Sequence, residues 1–208
     1  MVVTHDPRRI VFIGDSVTDA GRDRDDPESL GDGYVSHLAP ELRDAGATVR
    51  NLGVAGDRAV DLAARWEAEL MPAAPDLLTV YVGVNEMLRR YDSEDPTPTA
   101  RFDATLRALL DRVSAAHAPQ IVLMEPFFLP TTPEQESWLD DLGEKSAAMA
   151  FIASDYDAAW VPLGGRFRDA ASRHPAAELA PDGVHPTPRG SRLIADAWRA
   201  AASISDSR

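Results

Sequence analysis

Short apolar runs alternate along the chain with longer stretches of helical periodicity, and this alternation restricts the fold more than any other feature. The apolar runs predict strands, because short buried strands carry nearly unbroken apolar sequence. They lie at Ile10–Ile13, Thr48–Leu52, Leu77–Val82, Ile121–Glu125 and Trp160–Leu163. The stretches between them repeat apolar residues at three- and four-residue steps, which is typical of amphipathic helices. They lie at Tyr34–Ala45, Val60–Leu70, Phe102–Ala116, Ser137–Asp155 and Arg189–Ala202.

Strands that alternate with helices predict βαβ units and a parallel sheet. Because βαβ crossovers are right-handed, the helices of such a chain cover both faces of the sheet. We therefore predict an α/β fold in the form of a doubly wound sandwich. The chain has 208 residues and contains no recognisable linker, repeat or low-complexity block. A single domain over residues 1–208 is the expectation for that length.

Charge and composition restrict the partners and the chemistry. The formal net charge of −13 opposes binding to nucleic acids and anionic membranes. No apolar segment approaches the roughly 20 residues of a membrane span. The segment Met1–Arg9 lacks the apolar core of a signal peptide, so we predict a cytoplasmic protein. The chain has no cysteine, and no two histidines share a ligand-like spacing, so neither a metal nor another cofactor is expected.

A serine follows the first predicted strand, which runs directly into Gly14-Asp15-Ser16. In open α/β sheets, ligands bind at the carboxyl ends of the strands, so Ser16 is placed where chemistry is expected. Serine alone is a poor nucleophile. It needs a base within hydrogen-bond reach, a group that orients the base, and donors for the oxyanion.

His185 is the candidate base, because Asp182 precedes it by three residues in a loop that contains glycine and proline. That spacing lets the carboxylate fold back onto the imidazole and select its tautomer. A turn former or a helix cap is the alternative role of Asp182. The other histidines lie near the N-terminus, in predicted helices or in a polar turn, and we expect them to be structural or solvated: His5, His37, His117 and His174.

Loops after the second and third predicted strands contain candidate oxyanion donors. The first is Asn51–Asp57, in which a glycine, Gly53 or Gly56, can expose its backbone N–H. The second is Val82–Glu86, in which the side-chain amide of Asn85 can donate. An ordinary left-handed turn and a helix N-cap are the alternative readings of these two loops.

Four short blocks, in order over nearly the whole chain, resemble the SGNH hydrolase family, also called the GDSL esterases and lipases. The blocks are Gly14-Asp15-Ser16, Asn51–Gly56, Gly83-Val84-Asn85 and Asp182–Pro186. One Gly-Asp-Ser would be a weak signal, whereas four ordered blocks are specific. The resemblance implies a flavodoxin-like, three-layer α/β/α sandwich around a five-stranded parallel sheet.

The same resemblance implies a role for each matched residue. Ser16 corresponds to the nucleophile, Asp182 to the residue that orients the base, and His185 to the general base and then the acid. The oxyanion hole would consist of the N–H groups of Ser16 and Gly56 and the side-chain amide of Asn85. A serine esterase that forms an acyl-enzyme and needs no cofactor follows from these roles.

Two further comparisons refine this expectation. The family usually has aspartate after the asparagine of the third block, whereas this chain has Glu86, whose extra methylene could shift a hydrogen bond of the loop. The chain is most similar to intracellular acetylxylan esterase-type members of the family. The similar segments are Asp15–Arg22, Gly33–Val35, Ala64–Trp66 and Arg90–Asp92.

The expected substrate is a small-molecule or oligosaccharide ester with a short acyl group, and acetylated xylo-oligosaccharide is the leading candidate. The absence of an extended apolar lid sequence favours acetyl over long acyl chains. Loop adjacency places four residues in the predicted substrate pocket: Met87, Phe127, Phe128 and Val184.

Other functions remain open at this stage. An arylesterase, a thioesterase or a lysophospholipase of the same family would share the catalytic groups. A flavodoxin-like binding module is disfavoured, because Asp15 would repel a phosphate and no glycine-rich run follows the first strand. A catalytically silent relative is disfavoured, because every expected catalytic residue type is present. The oligomeric state is open, and a homo-oligomer is among the alternatives.

Overall fold

Five parallel strands form one sheet within residues 9–202, the part of the chain that the computed structural model describes. The strands are β1 (Arg9–Gly14), β2 (Thr48–Gly53), β3 (Leu77–Tyr81), β4 (Gln120–Met124) and β5 (Ala159–Val161). Their order across the sheet is β2-β1-β3-β4-β5. The connections change direction between β1 and β3, and ligands bind at the carboxyl ends of strands at such a switch point.

Within the same residues, eight α-helices connect and flank the strands. They are α1 (Ser16–Asp19), α2 (Tyr34–Asp44), α3 (Ala59–Arg65), α4 (Val84–Asp92), α5 (Thr99–His117), α6 (Trp138–Asp155), α7 (Gly164–Ala171) and α8 (Pro188–Ala202). A π-helical turn, Trp66–Leu70, continues α3, and short 3₁₀ turns lie at Met71–Ala73, Glu134–Ser137 and Ala176–Glu178. Among the residues described, no helix combines the length and apolar character needed to cross a membrane.

The sheet separates two apolar cores. Successive residues of a strand point to opposite faces. In β1, Ile10 and Phe12 therefore join one core, while Val11 and Ile13 join the other. Buried residues of α2, α7 and α8 close the first core, and buried residues of α3, α5 and α6 close the second. The predicted three-layer α/β/α sandwich with a five-stranded parallel sheet is confirmed.

The predicted elements agree well with the structure, but three of the eight described helices were not predicted. All five strands are confirmed, each within two residues of its predicted ends. The five predicted helices are present as α2, α3, α5, α6 and α8. The helices α1, α4 and α7, of four, nine and eight residues, were not predicted, because a short helix spans few repeats of the apolar period. His5 and most of the N-terminal segment used to predict location lie outside the described residues, and the single-domain boundary stays a prediction.

Candidate active site

The turn between β1 and α1 places Ser16 at the carboxyl edge of the sheet. Gly14 ends β1 against β3 so closely that a Cβ atom there would lie 2.1 Å from the carbonyl oxygen of Tyr81. Asp15 then caps α1, because its Oδ1 accepts the backbone N–H of Val17 at 3.0 Å. Ser16 is the first residue of this short helix. Its position follows from the Gly-Asp-Ser sequence, which allows the close approach and supplies the cap.

The structure brings Ser16, His185 and Asp182 into one hydrogen-bonded chain. The Nε2 atom of His185 lies 2.9 Å from Ser16 Oγ, although 169 residues separate them in sequence. The Nδ1 atom of His185 lies 2.6 Å from Asp182 Oδ2. The side chains of His185 and Asp182 are 55% and 54% exposed. This pair therefore stands at the surface above Ser16.

Local hydrogen bonds hold the carboxylate of Asp182. Its Oδ1 accepts the backbone N–H groups of Val184 at 2.9 Å and His185 at 2.7 Å. Partial burial raises the pKa of Asp182, but the hydrogen bonds from the His185 ring and from both backbone N–H groups outweigh it, and the pKa is lower than usual. The group is therefore an ionised acceptor at neutral pH.

Gly183 makes the turn of this loop. Its φ of +86° lies in the left-handed region, and a Cβ atom would lie 2.3 Å from the carbonyl oxygen of Leu129. The backbone N–H of Leu129 donates to the carbonyl of Gly183 at 2.9 Å. The segment that follows β4 thus supports the loop that carries His185.

A hydrogen bond joins the loop that carries Gly56 to the start of α4, which carries Asn85. Gly56 has a φ of +87°, in a turn where the N–H of Asp57 donates to the carbonyl of Val54 at 3.2 Å. Asn85 is the second residue of α4 and is 6% exposed. Its Nδ2 donates to the carbonyl of Asp57 at 3.0 Å. The N–H of Val54 also donates to the carbonyl of Gly14 at 3.0 Å, so this loop is held beside the end of β1.

Asn51 and Arg65 hold segments around the site by side-chain hydrogen bonds, and the sequence did not predict this role for either residue. The side chain of Asn51 donates to the carbonyls of Thr18 at 2.6 Å and Leu30 at 2.8 Å. Arg65 donates to Asp57 Oδ2 at 2.7 Å and to the carbonyl of Gly14 at 3.3 Å. Neither role has a signal in the sequence, because both depend on segments that meet only in the folded chain.

Each candidate oxyanion donor has a carboxyl residue beside it in sequence, and burial raises the pKa of all three carboxyl groups. Burial raises the pKa of Asp15 to about 7, and the nearby negative charges of Glu86 and Asp57 add to this shift. Burial likewise raises the pKa of Glu86 to about 7 against the opposing hydrogen bond from Ala59. Burial also raises the pKa of Asp57, although Arg65 opposes the shift. Residues 9–202 contain no group of three or more histidine, aspartate or glutamate side chains arranged to hold a metal ion.

The remaining described histidines lie elsewhere. His37 is part of α2, and His117 ends α5, where its Nε2 lies 3.0 Å from the carbonyl oxygen of Met71. His174 contacts Arg189 near the start of α8. None of them has a contact with Ser16 among the residues that the structure describes, in agreement with the structural or solvated roles expected for them.

A cavity of about 270 Å³ adjoins Ser16 and His185, and its lining differs from the predicted pocket. Its other walls are formed by Val17, Ala20, Asp32, Gly33, Pro186, Pro188 and Ser191. The four predicted pocket residues are buried and do not line this cavity: Met87, Phe127, Phe128 and Val184. Adjacency in a loop does not decide which way a side chain points.

Phe127 is a core residue. It is 2% exposed, and its ring stacks on Phe167 of α7 with a centroid separation of 3.6 Å. Met87, Phe128 and Val184 instead pack together in a small apolar cluster of their own. Val184 joins this cluster to the loop of Asp182 and His185, so the cluster supports that loop from below. A contact between any of the four predicted pocket residues and substrate stays a prediction.

Comparisons with known proteins agree with this geometry. The profile of the GDSL-like Lipase/Acylhydrolase family matches residues 12–193. An acetylxylan esterase from Geobacillus stearothermophilus is 31% identical over 202 residues, which is 91% of each chain. The solved structure of that organism's acetylxylan esterase superposes with a TM-score of 0.84 at 30% identity and covers 96% of both chains. An α/β hydrolase from the metagenome of Lake Arreo gives a TM-score of 0.84 at 28% identity, over 95% of this chain and 96% of its own.

The fold and the family match define the class of the protein as an esterase of the α/β type. The chain belongs to the GDSL-like lipase/acylhydrolase family, the SGNH hydrolases.

Proposed function

We propose that the protein is a serine carboxylic ester hydrolase that works through an acyl-enzyme. The observation that carries the proposal is the chain of contacts from Asp182 Oδ2 to His185 Nδ1, at 2.6 Å, and from His185 Nε2 to Ser16 Oγ, at 2.9 Å. Both distances suit hydrogen bonds, and the three groups occur in the order that activates a serine hydroxyl.

In the first step, Ser16 Oγ attacks the ester carbonyl while His185 Nε2 takes the hydroxyl proton. The proton on His185 Nδ1 points to Asp182, so the carboxylate selects the tautomer that leaves Nε2 as the acceptor. Asp182 also stabilises the imidazolium that forms. The depressed pKa of Asp182 keeps the carboxylate ionised for this role.

The tetrahedral oxyanion would be bound by the N–H groups of Ser16 and Gly56 and by the amide of Asn85. Asn85 Nδ2 carries two hydrogens, and the carbonyl of Asp57 accepts one of them at 3.0 Å. That contact orients the amide and leaves its second hydrogen for the oxyanion. Donors that are already aligned need no rearrangement as the charge develops, so they lower the barrier effectively.

His185 then donates its proton to the leaving alcohol, and a water molecule repeats the sequence on the acyl-enzyme to release the acid. The exposure of the His185 side chain, 55%, suits both events. It leaves room for a large alcohol group above the base and lets water reach the acyl-enzyme.

We propose an acetylated xylo-oligosaccharide as the substrate. The relatives that support this choice are the acetylxylan esterase of Geobacillus stearothermophilus, at 31% identity, and a variant of it described as an acetyl-xylooligosaccharide esterase, with a TM-score of 0.86. The cavity of about 270 Å³ beside Ser16 is small, which favours a short acyl group.

A substrate panel tests this proposal. The purified protein would be assayed with acetylated xylo-oligosaccharides, aryl esters of rising acyl length, an acyl thioester and a lysophospholipid. We expect hydrolysis of acetyl esters, a decline with acyl length, and loss of activity in Ser16→Ala. Ser172→Ala, which removes an exposed serine at the end of α7, should leave activity unchanged. A preference for the thioester, the lysophospholipid or long acyl chains would replace the proposed substrate, and an active Ser16→Ala would refute the mechanism.

A further inference from the structure

Glu86, the residue that departs from the usual pattern of the third block, makes a specific contact inside the protein. It lies in the first turn of α4 and is 0% exposed. Its Oε1 accepts the backbone N–H of Ala59 at 2.6 Å. Ala59 is the first residue of α3, and the side chain of the preceding residue, Arg58, does not cap the helix with a hydrogen bond. An orphan N–H at the start of α3 is thus satisfied by a side chain from another helix.

The neighbour of Glu86 makes a second contact with the same short segment. Asn85 Nδ2 donates to the carbonyl of Asp57, while Glu86 Oε1 accepts from the N–H of Ala59. Asp57 directly follows Gly56 in sequence, and Ala59 lies on the other side of Arg58. Two consecutive residues of α4 therefore hold the segment 57–59 at two points.

We propose that Glu86 is a positioning residue of the oxyanion hole, which holds the loop of Gly56 at the correct distance from the amide of Asn85. This inference rests on the proposed function. Glu86 does not touch the substrate. It acts through Gly56 and Asn85, and the length of its side chain sets the separation of the two donors. An aspartate at this position would be one methylene shorter and could not make the contact of 2.6 Å with Ala59 unless the loop moved.

The charge of Glu86 should make kcat depend on pH, and this dependence can be measured. Its second oxygen, Oε2, has no hydrogen-bond partner among the residues described, and the same holds for Oδ2 of Asp15. Asp15 adjoins Ser16 in sequence and Asp57 adjoins Gly56, so each proposed donor has a carboxyl group next to it. Negative charge near the oxyanion hole would oppose the charge of the oxyanion.

Other titratable groups surround these carboxyls. Arg58 and Asp61 of the α3 region face Glu86, and Asp95 and Arg101 line a cavity of about 50 Å³ with it. Asp15 is faced by Glu86, Asp57, Tyr34 of α2 and Tyr81 of β3. Burial sets the pKa values of Glu86 and Asp15 at about 7 in this setting. Both carboxyls are therefore neutral below that pH, and they ionise above it, where kcat should decline.

Variants at position 86 separate the contact from the charge. Glu86→Gln keeps an oxygen that can accept from Ala59 and cannot ionise, whereas the similarly sized Glu86→Met has no such acceptor. We expect kcat of Glu86→Met to fall about 10-fold to 100-fold with little change in KM, because a small displacement of catalytic groups has effects of this size. Glu86→Gln should keep kcat near the wild-type value at pH 6 and should lose less activity than the wild type above pH 7.

Glu125 is a matched control. Its carboxylate also accepts N–H groups where a helix begins, those of Leu163 at 2.7 Å and Gly164 at 2.8 Å, but it serves α7. Glu125→Met should lower Tm and leave kcat unchanged. If Glu86→Met behaves in the same way, Glu86 is only structural and the inference is wrong. If the pH profile of Glu86→Gln equals that of the wild type, the charge of Glu86 does not act on the donors.

Hydrogen exchange tests the contact even if no ester is hydrolysed. The amides of residues 56–59 should exchange faster in Glu86→Met than in the wild type, while Glu86→Gln should resemble the wild type. Unchanged exchange in Glu86→Met would refute the positioning role. Inactivity of the wild-type protein towards the ester panel would instead refute the proposed function, and the two failures are therefore distinguishable.

Discussion

The two sides of the candidate site are built in opposite ways. His185 and Asp182 stand at the surface, with side chains 55% and 54% exposed, and the contacts that hold Asp182 come from its own loop. On the other side, Asp15, Asn85 and Glu86 are 1%, 6% and 0% exposed. Asn85 and Glu86 contact Asp57 and the first residue of α3, Ala59, which lie 28 and 27 residues earlier in the chain.

Because of this difference, substitutions on the two sides should differ in their effects on activity and on stability. Charges at an exposed site are screened by water, and their pairing contributes little to folding. A buried polar group without its partner costs substantially more. We therefore expect changes on the exposed side to lower activity and leave stability nearly unchanged, and changes on the buried side to affect both.

The largest effect should come from Asp182→Asn, on the exposed side. The amide would present an N–H group to His185 Nδ1 or favour the wrong tautomer, so kcat should fall by about 10⁴-fold, as in other serine hydrolases. Tm should change little. Steady-state kinetics and thermal unfolding measure both, with the exposed Asp169→Asn as a control that should retain activity. Full activity in Asp182→Asn would mean that another acid orients the base.

Asn85→Ala should have the second largest effect and should combine both kinds of loss. Removal of one oxyanion donor lowers kcat by about 10²-fold to 10³-fold. The carbonyl of Asp57 would also lose its partner in a buried site, which costs about 1–3 kcal/mol of stability. Kinetics and chemical denaturation should both change. A loss of stability with unchanged kcat would remove Asn85 from the oxyanion hole.

Asp15→Asn should change the pH dependence of stability. The folded-state pKa of about 7 lies above the ordinary value of 3.8, so the folded protein holds this proton more tightly than the unfolded chain. Stability should therefore fall as pH rises from about 4 to 7 in the wild type. Asparagine can still cap Val17 and stays neutral, so the variant should gain Tm relative to the wild type at pH 8 and little at pH 4. An equal Tm difference at both pH values would contradict a protonated Asp15.

Tyr34→Phe should have the smallest effect. The phenol is fully buried and lies 3.1 Å from Thr18 Oγ1 in α1. Loss of this hydrogen bond should cost about 1 kcal/mol, which corresponds to a fall in Tm of about 2–4 °C for a chain of this size. The kinetic constants should stay close to those of the wild type. A large fall in kcat would show that the packing of α1 around Ser16 is more sensitive than the comparison of the two sides implies.

The sequence predicted the sheet more reliably than the contacts between loops. The strands were predictable because a strand that is buried on both faces has a nearly unbroken apolar sequence, which can be recognised without knowledge of the strands that pair with it. The short helix α4 was not predicted, although it carries Asn85 and Glu86. It begins after Gly83, whose φ is +134°, and its first four residues, Val84–Met87, are buried. It spans only nine residues, so its sequence shows few repeats of the helical period.

The pocket illustrates the same limit. Phe127 and Phe128 are adjacent in a loop, yet Phe127 stacks on Phe167 in the core while Phe128 joins a separate cluster beneath the loop of His185. The cavity beside Ser16 is lined instead by residues such as Ala20 and Pro188. Side-chain direction depends on the packing of neighbouring elements, and that information is not local.

The order of elements, the parallel sheet and the types of chemical group near the strand ends follow from local patterns, because apolar periodicity and turn residues act over a few positions. Three features exist only in the folded chain. They are the separation of 2.9 Å between Ser16 Oγ and His185 Nε2, the hydrogen bond from Ala59 to Glu86 of α4, and the burial that raises the pKa of Glu86. Each depends on segments far apart in sequence, and packing of the two apolar cores against the sheet is what brings those segments within hydrogen-bond distance.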